Sequence, residues 1–441
     1  MRSTSWLLVS LCVICSVCQS AHGENWGQWR GPFFNGTTNE TNLPTQWTRT
    51  ENTAWVAELP GASAATPVVW GDRVFVSSVD AGRDKLVAIC IDKKTGSEVW
   101  TRDISDTIRK DSRSTFSSPS PVTDGNVVIF FYGNGDLLAY DFDGDEKWRR
   151  NIQNDYGQFA FLWTFSTSPV LYDGKLFLQV LQRDVAVDGR GFRDRKNESY
   201  LVALDPASGE ELWKHIRPSE AKMESREAFT TPMPFEFNGQ KQLLVIGGDD
   251  LTSHDIDTGQ ELWRWGTWNP QRITHWRHVP SPIAGDGTVL VCAPKKDPVY
   301  AIKLGGTGTL GDEAVAWESS DNRIVSADVP TPAFYDGDFF VLSDVRNTIM
   351  RVNPKNGEVV WQARTPGRAK FEASPTVADG KIYTVNFVGD VVIFDAKTGD
   401  VINNISMDEA SEDAIRSSIV VSDGQLFIRT NAKLYCIGKS S

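Results

Sequence analysis

Histidine is scarce in this chain, with five among 441 residues, and no two cysteines are adjacent. A zinc site needs three or four ligands close together, and the one local His pair, His275 and His278, has no further His or Cys beside it. That pair is read as two polar residues on a loop, and no metal ligand is assigned. Six cysteines are present, but Cys12, Cys15 and Cys18 fall within the first 23 residues. The other three, Cys90, Cys292 and Cys436, each sit in an apolar strand-like run (VAICID, VLVCAP, LYCIGK). They are expected to be buried small hydrophobes rather than disulfide partners. Positive charge is also short: 45 Lys and Arg against 57 Asp and Glu leave a formal charge of −12. A phosphate-tracking surface needs clustered cations, so nucleic acid is excluded as a partner. No G-x-S-x-G elbow occurs, and the scattered histidines define no triad, so no catalytic residue is assigned. Helical periodicity is nearly missing outside residues 408–414.

Apolar runs are few as well. The longest, residues 6–18, spans 13 positions, short of the roughly 20 that a membrane helix needs. Arg2 precedes it, and Ala21-His22-Gly23 offers small residues at a cleavage position before Glu24. Residues 1–23 therefore read as a secretory signal peptide, predicting export to the periplasm, cell envelope or exterior without a transmembrane anchor.

What the chain has in excess is glycine, at 36, and tryptophan, at 16. Both follow from an internal repeat. Each unit opens with (S/T)-P-hydrophobic-x-x-D-G-x-hydrophobic and closes on T-G-x-hydrophobic-x-W. The third copy shows it plainly, as TSPVLYDGKLFLQVL followed by YLVALDPASGEELW. The closing residues are Trp100, Trp148, Trp213, Trp263, Trp317 and Trp361, with Val401-Ile402 substituting in the seventh unit. The eighth unit, SSIVVSDGQLFIRT with KLYCIG, lacks its last strand, and a spare one lies at the other end around Trp55. Units of about 43 to 65 residues suit propeller blades rather than helical repeats. Pairing the Trp55 strand with the final unit closes the ring and removes an exposed sheet edge. The prediction is an all-β, eight-bladed propeller of four-stranded antiparallel blades over residues 45–441, preceded by an extension at 24–44. The Trp residues are assigned to packing between blades, and a monomer is expected.

These units resemble the pyrroloquinoline-quinone-type (PQQ-like) repeat, on the pattern A-x-D-x-x-T-G-x-x-x-W written here from Ala203 to Trp213. The segment WGQWRGPFFNG, residues 26–36, is similar to the stretch before the propeller in exported, uncharacterised members. The resemblance implies Trp side chains packed against the neighbouring blade. It also implies three candidate activities: an exported binding or scaffolding module with an envelope or secreted protein partner, a BamB-like outer-membrane protein assembly factor, or a PQQ- and calcium-dependent alcohol or sugar dehydrogenase. Enzymes of that last kind hold the quinone over a Trp platform with calcium and a base, and commonly carry an adjacent Cys pair. No such pair occurs here, so no cofactor is expected, with PQQ and calcium kept as the alternative.

In a propeller the innermost strand opens each unit, so residues just before each (S/T)-P approach one mouth of the channel. Basic residues recur there: Arg113, Arg226, Arg277, Arg323, Lys370 and Arg416. Aromatic and imidazole groups interleave at Trp163, His275, Trp276 and His278. One reading is a site for a small anion or an acidic peptide. The other is that the cations satisfy backbone ends and pair with Glu227, Glu372 and Asp413. The longest departure from the repeat, residues 182–199, reads as a solvated loop and a partner-docking candidate, with Asp184, Asp188 and Asp194 as unspecific cation ligands.

Overall fold

A computed structural model describes residues 23–295, 297–319, 325–407 and 414–439. The signal segment (save Gly23), Arg323, Asp413 and most of the periodic stretch 408–414 lie outside them. The strands form eight sheets whose four main strands are antiparallel and follow chain order, except at the closure and around one extra strand, Gly308–Leu310, that joins the fourth sheet in parallel. The first blade shows the plan, with β2 (Val68–Trp70) innermost, then β3 (Arg73–Asp80), β4 (Lys85–Asp92) and β5 (Glu98–Ser105) outward. The closing strand of the eighth blade is β1 (Thr53–Glu58), paired antiparallel with Lys433–Ile437 so that Trp55 faces Cys436. The chain's two ends thus share one sheet, and the ring has no free seam.

The local chemistry follows the repeat. In the D-G turn between Val170–Tyr172 and Lys175–Val180, Asp173 and Gly174 both have positive φ, 51° and 71°. That is the twist a two-residue hairpin demands. Middle strands are buried on both faces because each sheet is sandwiched between neighbours, as the unbroken burial of Leu86 to Ile91 shows. Outer strands alternate, as in Val359–Arg364. In the D-x-x-T-G turns the Asp side chain organises the loop. Asp255 Oδ1 accepts from the Asp257 N–H at 3.0 Å, the Thr258 N–H at 2.9 Å and the Thr258 hydroxyl at 2.9 Å.

Each turn then receives the closing Trp of the blade before it. Indole N–H groups donate to backbone carbonyls across the gap: Trp100 to Phe142 (3.0 Å), Trp148 to Pro206 (2.9 Å), Trp213 to Ile256 (3.0 Å), Trp317 to Pro354 (2.7 Å) and Trp361 to Ala396 (3.1 Å). Two units differ from the expected pattern. Trp263 is buried, but its Nε1 has no partner among the described residues. The turn that would receive it is replaced by a loop whose Gly308–Leu310 strand pairs in parallel with Glu261–Trp265, giving that blade a fifth strand. In the seventh blade the closing position is Asn403, facing Ile393, and not Val401-Ile402, which are exposed. Asn403 donates to the Thr45 carbonyl at 2.8 Å, so the chain's own N-terminal segment meets it where another blade would receive a Trp. Cys90, Cys292 and Cys436 are buried and unpaired.

Residues 24–44 cross one face of the ring. Trp26, fully buried, exchanges both backbone hydrogen bonds with Val69 of blade one, and the Gly27 carbonyl accepts from Thr123 of blade two. At the other end the Asn35 and Gly36 carbonyls accept from Phe334 and Val377, in blades six and seven. The strap therefore spans the central channel.

Candidate functional site

The (S/T)-P residues that open each unit form a girdle around the channel. The backbone N–H of Thr66 donates to Ser120 Oγ at 2.9 Å, Ser120 to Ser168 at 3.0 Å, and Ser168 to Thr231 at 3.3 Å. Thr231 donates to Ser281 at 2.8 Å, Ser281 to Thr331 at 2.9 Å, Thr331 to Ser374 at 2.9 Å, and Ser418 back to Thr66 at 3.1 Å. The hydroxyl is needed because the innermost strand is a sheet edge, whose N–H groups have no ladder partner on the channel side. The proline that follows removes the next one. The link into Ser418 is missing, and its Oγ is buried without a partner. This unit is also the one with Ile419 in place of proline.

On the side of the girdle away from the strap, the channel holds a cavity of about 150 Å³ bounded by Trp29, Ser118, Trp163, Thr164, Phe229, Arg113, Arg277, Arg416 and Glu372, among others. Trp29 comes from the strap, so the cavity is a cup with one mouth. Its cations are unequally satisfied. Arg277 meets Glu224 at 3.2 Å, and Arg416 meets Glu372 at 2.7 Å with its guanidinium 4.7 Å from the Phe387 ring. Arg113 is exposed and its side chain makes no ion pair or hydrogen bond among the described residues. Beneath the floor, Arg30 is 5% exposed and donates to the carbonyls of Pro332 (2.9 Å) and Pro375 (3.2 Å), facing no carboxylate. Burial pushes its pKa down to about 9, so it stays charged at neutral pH. Among the described lining residues Glu372 is the only carboxylate against Arg113, Arg277 and Arg416, so they give the cup a net positive charge in a net-negative protein.

The other expected site residues lie elsewhere. Arg226 donates to the Ser219 and Ala221 carbonyls, both at 3.0 Å, and faces Asp184 at 3.5 Å, outside the cup lining. Lys370 is exposed and outside it too. His275 is exposed and Trp276 half-buried, its N–H held by Ser225 Oγ at 2.7 Å. His278 is not on the rim surface: it is fully buried, 5.3 Å from the Trp268 ring, and burial pushes its pKa down to about 4. Glu227 pairs with Arg183 rather than with a rim cation. In the 182–199 loop, Asp184 and Asp188 are each in an ion pair, with Arg226 and Arg190. The sequence reading missed Trp29 and Arg30 as parts of the site. Their signal was the crowding of Trp and Arg in WGQWRG, outside the repeat.

The fold and this channel define the protein as a PQQ-type repeat propeller. Residues 37–188 and 197–441 match the family described as outer membrane protein assembly factor BamB, and the chain belongs to it. Curated relatives carry two kinds of name. A polyvinylalcohol dehydrogenase of Pseudomonas sp is 24% identical over 71% of this chain and 47% of its own. The outer membrane protein assembly factor BamB of Burkholderia pseudomallei is 21% identical over 77% of this chain and 87% of its own. A quinohemoprotein alcohol dehydrogenase of Comamonas testosteroni is 26% identical over 69% and 39%. The chain thus spans about half or less of those two dehydrogenases. Among solved structures, BamB from Moraxella catarrhalis aligns with a TM-score of 0.59 at 13% identity, covering 87% of this chain and 99% of its own. A europium-containing methanol dehydrogenase gives 0.65 at 11% identity, covering 92% and 89%.

The donor set does not fit a calcium–quinone centre. Such a centre needs several carboxylate and amide oxygens around the metal and a free carboxylate base. Among the described residues the cup's lining offers one carboxylate, Glu372, and Arg416 holds it. Among the described residues no three His, Cys, Asp or Glu side chains gather where they could hold a metal.

Proposed function

We propose that this chain is an exported binding propeller of the periplasm or cell envelope, which takes an anionic group into the strap-closed cup. The anionic group belongs either to a small ligand or to an acidic segment of a protein partner. The observation that carries this reading is the unpartnered Arg113 at the mouth of a cup whose floor sits above the uncompensated charge of Arg30. A low-dielectric concavity of one sign concentrates counter-ions. Export rests on residues 1–23. Calorimetric titration with citrate and benzoate at low salt tests the site. Binding that weakens with added salt and in Arg113→Gln supports it, and no heat with either anion sinks it.

A BamB-like assembly role is the second reading, favoured by the family match and by the length shared with the Burkholderia protein. Cross-linked pull-down from envelope fractions should then recover an outer-membrane barrel protein, and its absence counts against that role. The dehydrogenase reading is answered by adding PQQ and calcium to the purified protein. Dye reduction with alcohols or aldoses would overturn the binding reading.

A further inference from the structure

A second cavity of about 410 Å³ lies between blades two and three, and Trp163 borders both it and the cup. Two guanidinium groups converge in its wall. Arg109 Nη2 donates to the Leu162 carbonyl at 3.3 Å, and Arg190 Nη2 donates to the same oxygen at 2.8 Å. One neutral oxygen is a poor acceptor for two cations, which repel each other at that separation. Among the described residues the only carboxylate that meets either of them is Asp188, 3.0 Å from Arg190 Nη2 and itself largely exposed. Arg190 Nε and Nη1 are both buried without a partner, each an unmet donor whose desolvation costs free energy. The Leu162 peptide that joins the pair is fixed from its other side, since its N–H donates to Glu227 Oε1 at 3.1 Å.

The rest of the wall is amide and aromatic. Asn154 and Gln158 are exposed along the opening, and Phe159 and Phe161 lie beneath. Carboxamides pair with neighbouring hydroxyls, and the half-buried Trp163 indole offers a face for the apolar side of a pyranose. Guanidinium groups bind carboxylates at short, charge-assisted distances. We infer that Arg109 and Arg190 form an anion subsite for a uronic-acid residue of an acidic oligosaccharide, whose chain passes Trp163 and places a second carboxylate at Arg113 in the cup. The inference rests on the cup's being a ligand site, and its test separates the two.

Galacturonate, tri-galacturonate and tri-glutamate are titrated into the full protein at low salt. Tri-galacturonate is expected to bind roughly tenfold or more tighter than galacturonate, since the second carboxylate adds a charge-assisted pair. In Arg109→Gln, and in the double variant with Arg190→Gln, that ratio should collapse. Melting curves check each fold, and Arg109→Gln alone suffices if the double variant unfolds. An equal affinity for trimer and monomer in the unaltered protein, or a ratio unmoved by either variant, overturns the subsite. Tighter binding of tri-glutamate than of tri-galacturonate overturns the sugar assignment in favour of acidic peptide. If galacturonate fails to bind but the trimer binds through Arg109, the cup reading falls and the subsite stands.

Discussion

Trp55 of β1 lies flat against Gly96 in the turn of blade one, and its indole donates to the Lys93 carbonyl at 2.7 Å. This pair joins the chain's first strand, seated in the last blade, to the blade that follows it around the ring. Gly96 has φ of 73°, and a methyl group there would sit 2.6 Å from the Trp55 ring. Gly174 has a similar φ of 71° but open space around it. Gly96→Ala should therefore cost about 1–2 kcal/mol more than Gly174→Ala, whose penalty is the left-handed backbone alone. Paired thermal melts of the two variants check this; equal melting temperatures would remove Trp55 from ring closure.

Arg30 holds the strap across the channel through carbonyls alone. Arg30→Met keeps the aliphatic stem but leaves the Pro332 and Pro375 carbonyls without donors, which should cost about 1–3 kcal/mol. The strap should loosen with it. The Val377 amide donates to the Gly36 carbonyl at 2.9 Å and the Gly36 amide to the Arg30 carbonyl at 2.9 Å. Both amides are expected to exchange faster with deuterium in the variant, while ladder amides such as those of Val87 to Ile91 keep their protection. Uniform exchange across the ring would contradict this.

Much of this fold is legible in the repeat because one physical requirement recurs in each unit. A D-G hairpin, a buried middle strand and a Trp that needs a carbonyl across the gap leave the same residues at the same spacing. The exceptions are legible only in three dimensions. Asn403 stands at a Trp position because residues 45–47 replace the receiving turn, and no periodicity marks a polar substitute. Trp263 lost its carbonyl to the insertion that carries Gly308–Leu310. The site was half visible: the short stretch before each unit's opening Ser or Thr located Arg113, Trp163, Arg277 and Arg416, since that stretch leads into a channel strand. Arg226 and His278 lie in the same stretches, yet their side chains turn into the protein, which backbone periodicity cannot distinguish. Arg109 and Arg190 belong to no motif and meet only because two loops converge on Leu162.

Glu227 should make stability fall as pH rises through the weakly acidic range. It is fully buried, and desolvation outweighs its contact with Arg183, pushing its pKa up to about 7 from an ordinary 4.5. Its Oε2 has no partner among the described residues, so ionisation would leave a buried charged oxygen unsolvated. Below about pH 4.5 the carboxyl is protonated in both states and contributes no pH dependence. Between there and pH 7 the unfolded chain ionises while the folded one keeps its proton, so unfolding becomes easier, by up to about 3 kcal/mol. Glu227→Gln should flatten that segment of the melting-temperature profile. A variant profile parallel to that of the unaltered protein would show that Glu227 is ionised throughout.

Glu372 offers a change in which stability and binding move in opposite directions. It is 5% exposed and bound to Arg416 at 2.7 Å, so Glu372→Gln removes one partner of a buried pair and leaves a cation behind. Breaking such a pair typically costs about 3–5 kcal/mol, and the melting temperature should drop clearly. The same change removes the one negative charge among the cup's described lining residues and frees the Arg416 guanidinium beside Phe387. Affinity for citrate should rise by roughly three- to tenfold at low salt, as the charge facing the ligand becomes wholly positive. Calorimetry on the variant, well below its melting point, reads that change. A loss of citrate affinity would instead mean that Glu372 accepts hydrogen bonds from the ligand and that the cup is not an anion site.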